Sequence, residues 1–189
     1  MVSRVAIVCL LALAAAGCDR QSQPSGQANV AAPASDEATA PAAKALTGLD
    51  RSHKGEAAPE TAFKSPDGKT TTLAAFRGRP VLVNLWATWC GPCVAELPTL
   101  EALAKRGTVR VAAISQDTND TAKVPGFLKA HGARSLTPYL DDKMALSLGW
   151  NANLPTTILF DAAGKEVWRW NGGSDWNGAA AAQLIGEAG

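Results

Sequence analysis

The chain has 189 residues, 47% hydrophobic and 19% charged, with 18 Lys and Arg against 17 Asp and Glu. At about 150 residues per domain this is one domain with tails. A formal net charge of +1 excludes the basic footprint of a nucleic-acid binder and a polybasic membrane-surface protein. The 4 cysteines are too few for a disulfide-dense scaffold and are unevenly placed, as Cys9, Cys18, Cys90 and Cys93.

Residues 1–4 carry one positive charge, residues 5–16 form an unbroken apolar run, and Gly17-Cys18 follows. The run is shorter than the roughly 20 residues that span a hydrocarbon core, and it suits the apolar region of a signal peptide. Ala15-Ala16-Gly17-Cys18 resembles a bacterial lipoprotein signal, in which cleavage precedes a cysteine that is then lipidated; Ala15 departs from the usual Leu. The alternative is an ordinary cleaved signal with an incidental Cys18. Both readings take the mature protein out of the cytoplasm. With lipidation, Asp19 resembles an inner-membrane retention signal of enteric bacteria, which implies anchoring on the periplasmic side of that membrane.

Residues 19–59 are rich in Ala, Pro, Ser, Gln and Thr, without aromatic residues or apolar periodicity. Such a segment buries too little surface to offset its ordering entropy, so it is expected to be a disordered tether. A flexible chain of roughly 40 residues has a span of about 35 Å. It either lets a small domain reach partners at a membrane or is a plain spacer.

The foldable part is residues 60–189. Residues 61–64 and 69–73 flank Ser65-Pro66-Asp67-Gly68, a hairpin signal. Residues 81–86, Val-Leu-Val-Asn-Leu-Trp, form a continuous apolar run suited to a strand buried on both faces. Residues 92–106 have helical period, with Val94, Leu97, Leu100, Leu103 and Ala104 on one stripe and Gly107 as the stop. Residues 109–115 predict a strand and 122–131 a helix ending near His131, with Pro125 tolerable only in its first turn. A strand over 136–140 and a helix over 142–148 follow. Residues 156–160 and 166–170 predict a hairpin, and 177–187 a closing helix. The alternation indicates an α/β domain with a mixed central sheet flanked by helices.

The decisive segment is Trp86-Ala87-Thr88-Trp89-Cys90-Gly91-Pro92-Cys93, where a buried strand gives way to a helix. Cysteines three apart in a first helical turn share one face and lie close enough to bridge. Cys90 falls where unpaired N–H groups and the helix dipole favour a thiolate, the form that attacks disulfides. Cys93, one turn deeper, is placed to resolve the mixed disulfide. Pro92 lacks only an N–H that had no partner. Other readings are weaker. A zinc half-site lacks further soft ligands beyond His53 and His131, and a structural disulfide closing so short a loop removes little chain entropy. A copper site would draw on Met144 or His131. No metal or other cofactor is implied.

These residues resemble the thioredoxin superfamily, specifically the TlpA/ResA-like branch of extracytoplasmic thiol–disulfide oxidoreductases. Residues 84–93 are close to that branch's signature, and the resemblance covers residues 55–189. It implies a thioredoxin-like fold with an N-terminal hairpin and an added strand–helix insertion within residues 116–153. Asn84 stands where plain thioredoxins carry a buried Asp. Leu154-Pro155 by itself reads as a trans proline opening a strand. The resemblance implies instead a cis Pro155 facing the cysteines, with the Leu154 backbone binding substrate as an added strand. Gly91, Pro92 and Trp89 would line that substrate surface.

Glu96 is three residues beyond Cys93. It is either a solvated helix glutamate or, as the resemblance implies, an acidic residue that helps deprotonate Cys93. Pro98 lies mid-helix, where a proline costs about 3 kcal/mol or forces a kink, and resembles a kink proline of thioredoxin helices. Trp86 is expected to pack around the site, and Trp168 and Trp170 share one strand face toward the core. Trp150 and Trp176 fit either core or surface. Gly172-Gly173 is a turn or, by resemblance, backbone lying beside the site.

The Gly-Pro dipeptide between the cysteines is that of thioredoxin, a reductant near about −270 mV, and points to reduction of protein disulfides. Resemblance implies a membrane thiol transporter of the DsbD or CcdA kind as electron donor. It also implies substrates such as apocytochrome c or the copper site of an oxidase, met by a monomer. A disulfide oxidant or isomerase, or a copper-binding assembly chaperone, are the alternatives.

Overall fold

The computed structural model describes residues 48–189. The signal segment, Cys18 and most of the expected tether lie outside them. Strands β1 (Leu49–Asp50), β2 (Phe63–Lys64), β3 (Thr70–Thr71), β4 (Val81–Trp86), β5 (Arg110–Ser115), β6 (Tyr139–Leu140), β7 (Thr156–Phe160) and β8 (Glu166–Asn171) form one sheet. Its order is β1-β8-β7-β4-β5-β6-β2-β3. Helices α1 (Gly91–Arg106), α2 (Val124–Ala130), α3 (Ala145–Gly149) and α4 (Ala179–Ile185) connect and cover it.

The apolar run of β4 lies at the sheet's centre, parallel to β5 and antiparallel to β7. Its alternation divides the core. Leu82 and Trp86 face Leu97, Leu100, Leu103, Leu159 and Trp168, beneath α1, α2 and α4. Val81, Val83 and Leu85 face Phe63, Phe76, Leu146, Ile158 and Phe160. All six β4 residues are buried, which is why the run reads as continuous rather than alternating. Helix α1 begins at Gly91, carries Pro92 in its first turn, continues past Pro98 and stops at Gly107, whose φ of 67° is left-handed.

Several elements are shorter than their sequence pattern. The strand expected over 136–140 pairs only at Tyr139–Leu140. Helix α3 starts at Ala145 because the Asp141 carboxylate accepts the N–H groups of Ala145 (3.0 Å) and Leu146 (2.8 Å). The closing helix is α4 followed by a 3₁₀ turn, Gly186–Ala188. Pro125 sits in the first turn of α2, and His131 caps that helix.

The expected tether extends too far. Leu49 and Asp50 pair with Trp170 and Arg169 at the edge of the sheet. Backbone bonds run from Asn171 N to Gly48 O (2.8 Å), Gly55 N to Glu166 O (2.7 Å) and Glu166 N to Glu56 O (2.8 Å). The composition hides this because backbone groups of a polar segment make the pairing, with only isolated apolar contacts from Leu49 and Ala58 to the core. A chain beginning at residue 60 is therefore expected to lose about 2 kcal/mol against one beginning at residue 47, from lost strand pairing. Equal urea midpoints for the two would contradict the assignment of β1 to the fold.

Candidate active site

Strand β4 delivers the chain to the start of α1, where Cys90 stands at the N-cap in extended conformation. Its carbonyl accepts the first helical bond from Val94 N (3.0 Å), and its own N–H reaches Ala87 O (3.1 Å). Cys90 and Cys93 form a disulfide with a Cα–Cα distance of 5.3 Å. Cys90 retains 6% exposure and Cys93 none. Gly91 and Pro92 are exposed between them, and Trp89 is 64% exposed immediately before. Cys90 is thus nearly buried among exposed neighbours at a helix N-terminus, and Cys93 lies fully buried one turn in.

The loop between β4 and Cys90 is tied down from β5. The buried Asp117 carboxylate accepts Thr88 N (3.0 Å), Thr88 Oγ1 (2.6 Å) and Ser115 Oγ (2.7 Å). Gln116 N donates to Trp86 O at 2.7 Å, extending the β4–β5 pairing into this loop. The sequence pattern alone did not mark Asp117. The available signal was its position directly after a buried parallel strand, where sheet-borne sites collect.

On the other side, the Leu154–Pro155 peptide bond is cis, as the family resemblance implies. Pro155 is buried and Leu154 half-buried. Gly172 N donates to Pro155 O (2.9 Å), while a Cβ on Gly173 would lie 3.5 Å from Pro92 O. The Gly172-Gly173 turn therefore bridges the proline loop and the cysteine helix. It is backbone beside the site, not a remote turn.

Glu96 is not solvated. It is 3% exposed, one turn beyond Cys93 on α1. Its Oε1 accepts Asn84 Nδ2 at 2.7 Å; its Oε2 accepts Trp176 Nε1 at 3.0 Å and Ser174 N at 3.1 Å. Burial pushes its pKa above the ordinary value, and the donors from Asn84, Trp176 and Ser174 offset part of that rise. Asn84, wholly buried on β4, also donates to Thr157 Oγ1 at 2.9 Å. Trp176 belongs to the core: its ring stacks on Trp168 and meets Trp170 edge-on. Trp150 is half-buried and stacks on Phe160. Ser174 and Thr157 have no signature in the sequence, because their parts come from a turn and a cross-strand neighbour.

Among the described residues no group of His, Cys, Asp and Glu is spaced to hold a metal ion, and no helix is long and apolar enough to cross a membrane. The site sets a cysteine pair at the start of α1 and a buried carboxyl one turn further along the same helix. Comparison with known proteins agrees. A Redoxin family profile matches residues 53–185. The thioredoxin-like protein YneN of Bacillus subtilis strain 168 is 32% identical over 114 residues, 59% of this chain and 67% of that protein. The thiol-disulfide oxidoreductase ResA of Bacillus thuringiensis strain Al Hakam is 33% identical over 118 residues, 60% of this chain and 66% of that one. The match thus spans about two thirds of these relatives. A crystal structure from Chlorobium tepidum, described as a thiol:disulfide interchange protein DsbE, superposes with a TM-score of 0.62 at 28% identity, covering 72% of this chain and 98% of that one. The chain belongs to the Redoxin family: a thioredoxin-like fold carrying a thiol–disulfide oxidoreductase site of the ResA and DsbE type.

Proposed function

We propose that this protein reduces disulfides of other proteins outside the cytoplasm. The observation that carries the reading is the unequal placement of the two sulfurs, Cys90 at the exposed start of α1 and Cys93 fully buried one turn in. The Cys90 thiolate attacks a substrate disulfide, a mixed disulfide forms, and one substrate sulfur leaves and takes up a proton. Cys93 then loses its proton, attacks the Cys90 sulfur and expels the second substrate thiolate, which is protonated in turn. Two electrons pass from protein to substrate, and the Cys90–Cys93 bond closes. Glu96 takes the Cys93 proton, since Asn84 cannot. The Leu154 backbone before cis-Pro155 binds the substrate as an added strand, with Trp89, Gly91 and Pro92 forming the rest of the docking surface.

The Gly91-Pro92 dipeptide supports the reducing direction. Reduction outside the cytoplasm requires electrons from within, which a membrane thiol transporter of the DsbD or CcdA kind would supply. Substrates of the class of apocytochrome c, or the thiols of an oxidase copper site, suit such a reductant. The relatives named ResA and DsbE support an extracytoplasmic location. The signal segment and lipidation of Cys18 would place the domain on the periplasmic face of the inner membrane.

Cys93→Ser is expected to trap mixed disulfides through Cys90, visible as reductant-sensitive adducts on non-reducing gels, and Cys90→Ser is not. Stoichiometric copper lost with either substitution, without adducts, would favour a chaperone instead. Equilibration of the domain with dithiothreitol buffers should give a reduction potential near or below about −230 mV; a value above about −150 mV would reverse the direction. Glu96 adds a pH signature. Because its folded pKa is raised, the stability it contributes is complete below the unfolded value of about 4.3 and is lost as pH rises through the raised value. Relative to Glu96→Gln, the oxidised wild type should therefore lose stability as pH rises from about 4 toward neutrality, measured by urea unfolding. A difference that grows in favour of wild type over that range would contradict a raised pKa.

A further inference from the structure

The three donors around Glu96 are not equivalent. Oε2 is held by Trp176 Nε1 and Ser174 N, an indole N–H and a backbone N–H, neither of which can act as an acceptor. Oε1 is held by the Asn84 side-chain amide, whose Oδ1 has no hydrogen-bond partner among the described residues. An amide can turn and present its oxygen instead of its nitrogen. In the turned position Oδ1 would accept from a proton on Oε1 and also from the Thr157 hydroxyl, which now accepts from Nδ2. A proton on Oε2 would instead confront two N–H groups. The two ends of the carboxyl are thus chemically distinct before any proton arrives.

We propose that Trp176 is a positioning residue for the exchange reaction, its indole N–H pinning Oε2 so that Glu96 carries its exchangeable proton on Oε1, against the Asn84 amide. The inference rests on the reading of Glu96 as proton acceptor for Cys93. In that step the Cys93 S–H bond breaks and leaves its electron pair on sulfur, an O–H bond forms at Oε1, and no oxidation state changes. Asn84 turns to serve both protonation states, while Trp176 and Ser174 stay fixed.

The indole can hold this position because it is itself immobilised. Trp176 is fully buried, its ring 6.2 Å from Trp168 and nearly parallel to it, and 6.3 Å from Trp170. The Trp176 backbone N–H donates to Thr99 Oγ1 on α1 at 3.2 Å, which anchors this turn to the helix that carries Glu96. The polar groups meeting Glu96 are Asn84 from β4 and Ser174 and Trp176 from the turn after β8; none titrates. Charged residues near that turn face elsewhere. Asp175 is exposed and accepts Asn177 N, and Arg106 reaches the carbonyls of Trp176 and Asn177. On α1 itself the titratable groups are Cys93 and Cys90 toward its start, joined in a disulfide here, and Glu101 with Lys105 and Arg106 toward its end, Glu101 accepting Ser135 N.

The test combines the wild-type protein with Trp176→Phe. In uniformly labelled reduced wild type, the Trp176 indole N–H and Ser174 amide resonances are expected to titrate with the same midpoint as the Glu96 side-chain carboxyl carbon. An indole resonance that stays fixed while Glu96 titrates would overturn the proposal, and this arm needs no substitution that could unfold the core. In Trp176→Phe, loss of one charge-assisted donor should move the acid limb of the disulfide-exchange rate upward by about one pH unit, about a tenfold loss at fixed pH on the limb. In the Glu96→Gln background, Trp176→Phe should move nothing. A shift that persists there overturns the proposal, since it would not pass through Glu96. If Glu96→Gln alone leaves the limb where wild type has it, the proton-acceptor reading fails instead, and the indole titration still decides whether Trp176 holds the carboxyl.

Discussion

The site depends on one junction, the point where buried strand β4 becomes helix α1. A helix start exposes N–H groups without partners and a partial positive charge, and here it does so at the rim of the sheet. Cys90 occupies the N-cap, in that field and next to the exposed Trp89, Gly91 and Pro92; Cys93, one turn along, is carried fully inward by the helix geometry. The junction is fixed from both sides. Asp117 holds Thr88 from the β5 side, and the Gly172-Gly173 turn joins Pro155 to Pro92 from the β8 side. Two chemically identical cysteines are made unequal by where the strand ends.

Beneath them, the fold tolerates a carboxyl group where a hydrocarbon would be cheaper. Burying Glu96 raises its proton affinity, and only the fixed donors of Trp176 and Ser174, with Asn84, limit that rise. An unpartnered buried carboxylate would neutralise or unfold its surroundings. A partnered one can stay in place, and under the proposed mechanism it is the proton store for the exchange reaction. The stacked Trp168 and Trp176 and the docking of Trp168 Nε1 on Leu184 O (2.9 Å) tie this store to the packing of α4. Stability and chemistry therefore share the same tryptophans.

What the sequence made legible follows from what each feature depends on. The β4 run, the α1 stripe, Gly107 and the cysteine spacing are local patterns, and they were readable as such. The cis Leu154–Pro155 bond was not local; a family resemblance supplied it against the trans preference of a lone proline. Strand β1 escaped notice because a polar, alanine-rich segment joins the sheet through backbone bonds that leave no periodicity. Asp117, Ser174 and Trp176 carry no local signature because their meaning lies in partners 29, 78 and 80 residues away. For Glu96, burial removes the solvated reading, which the sequence leaves open, and its part in proton transfer is the proposal made above.

The account's central claim is the division of labour between the two sulfurs, and competitive alkylation measures it most directly. Reduced protein treated with limiting iodoacetamide near neutral pH, then mapped by mass spectrometry, should carry the label on Cys90 at least about tenfold more often than on Cys93. Equal labelling, or preference for Cys93, would contradict the assignment of Cys90 as the attacking thiolate and of Cys93 as the buried resolving partner.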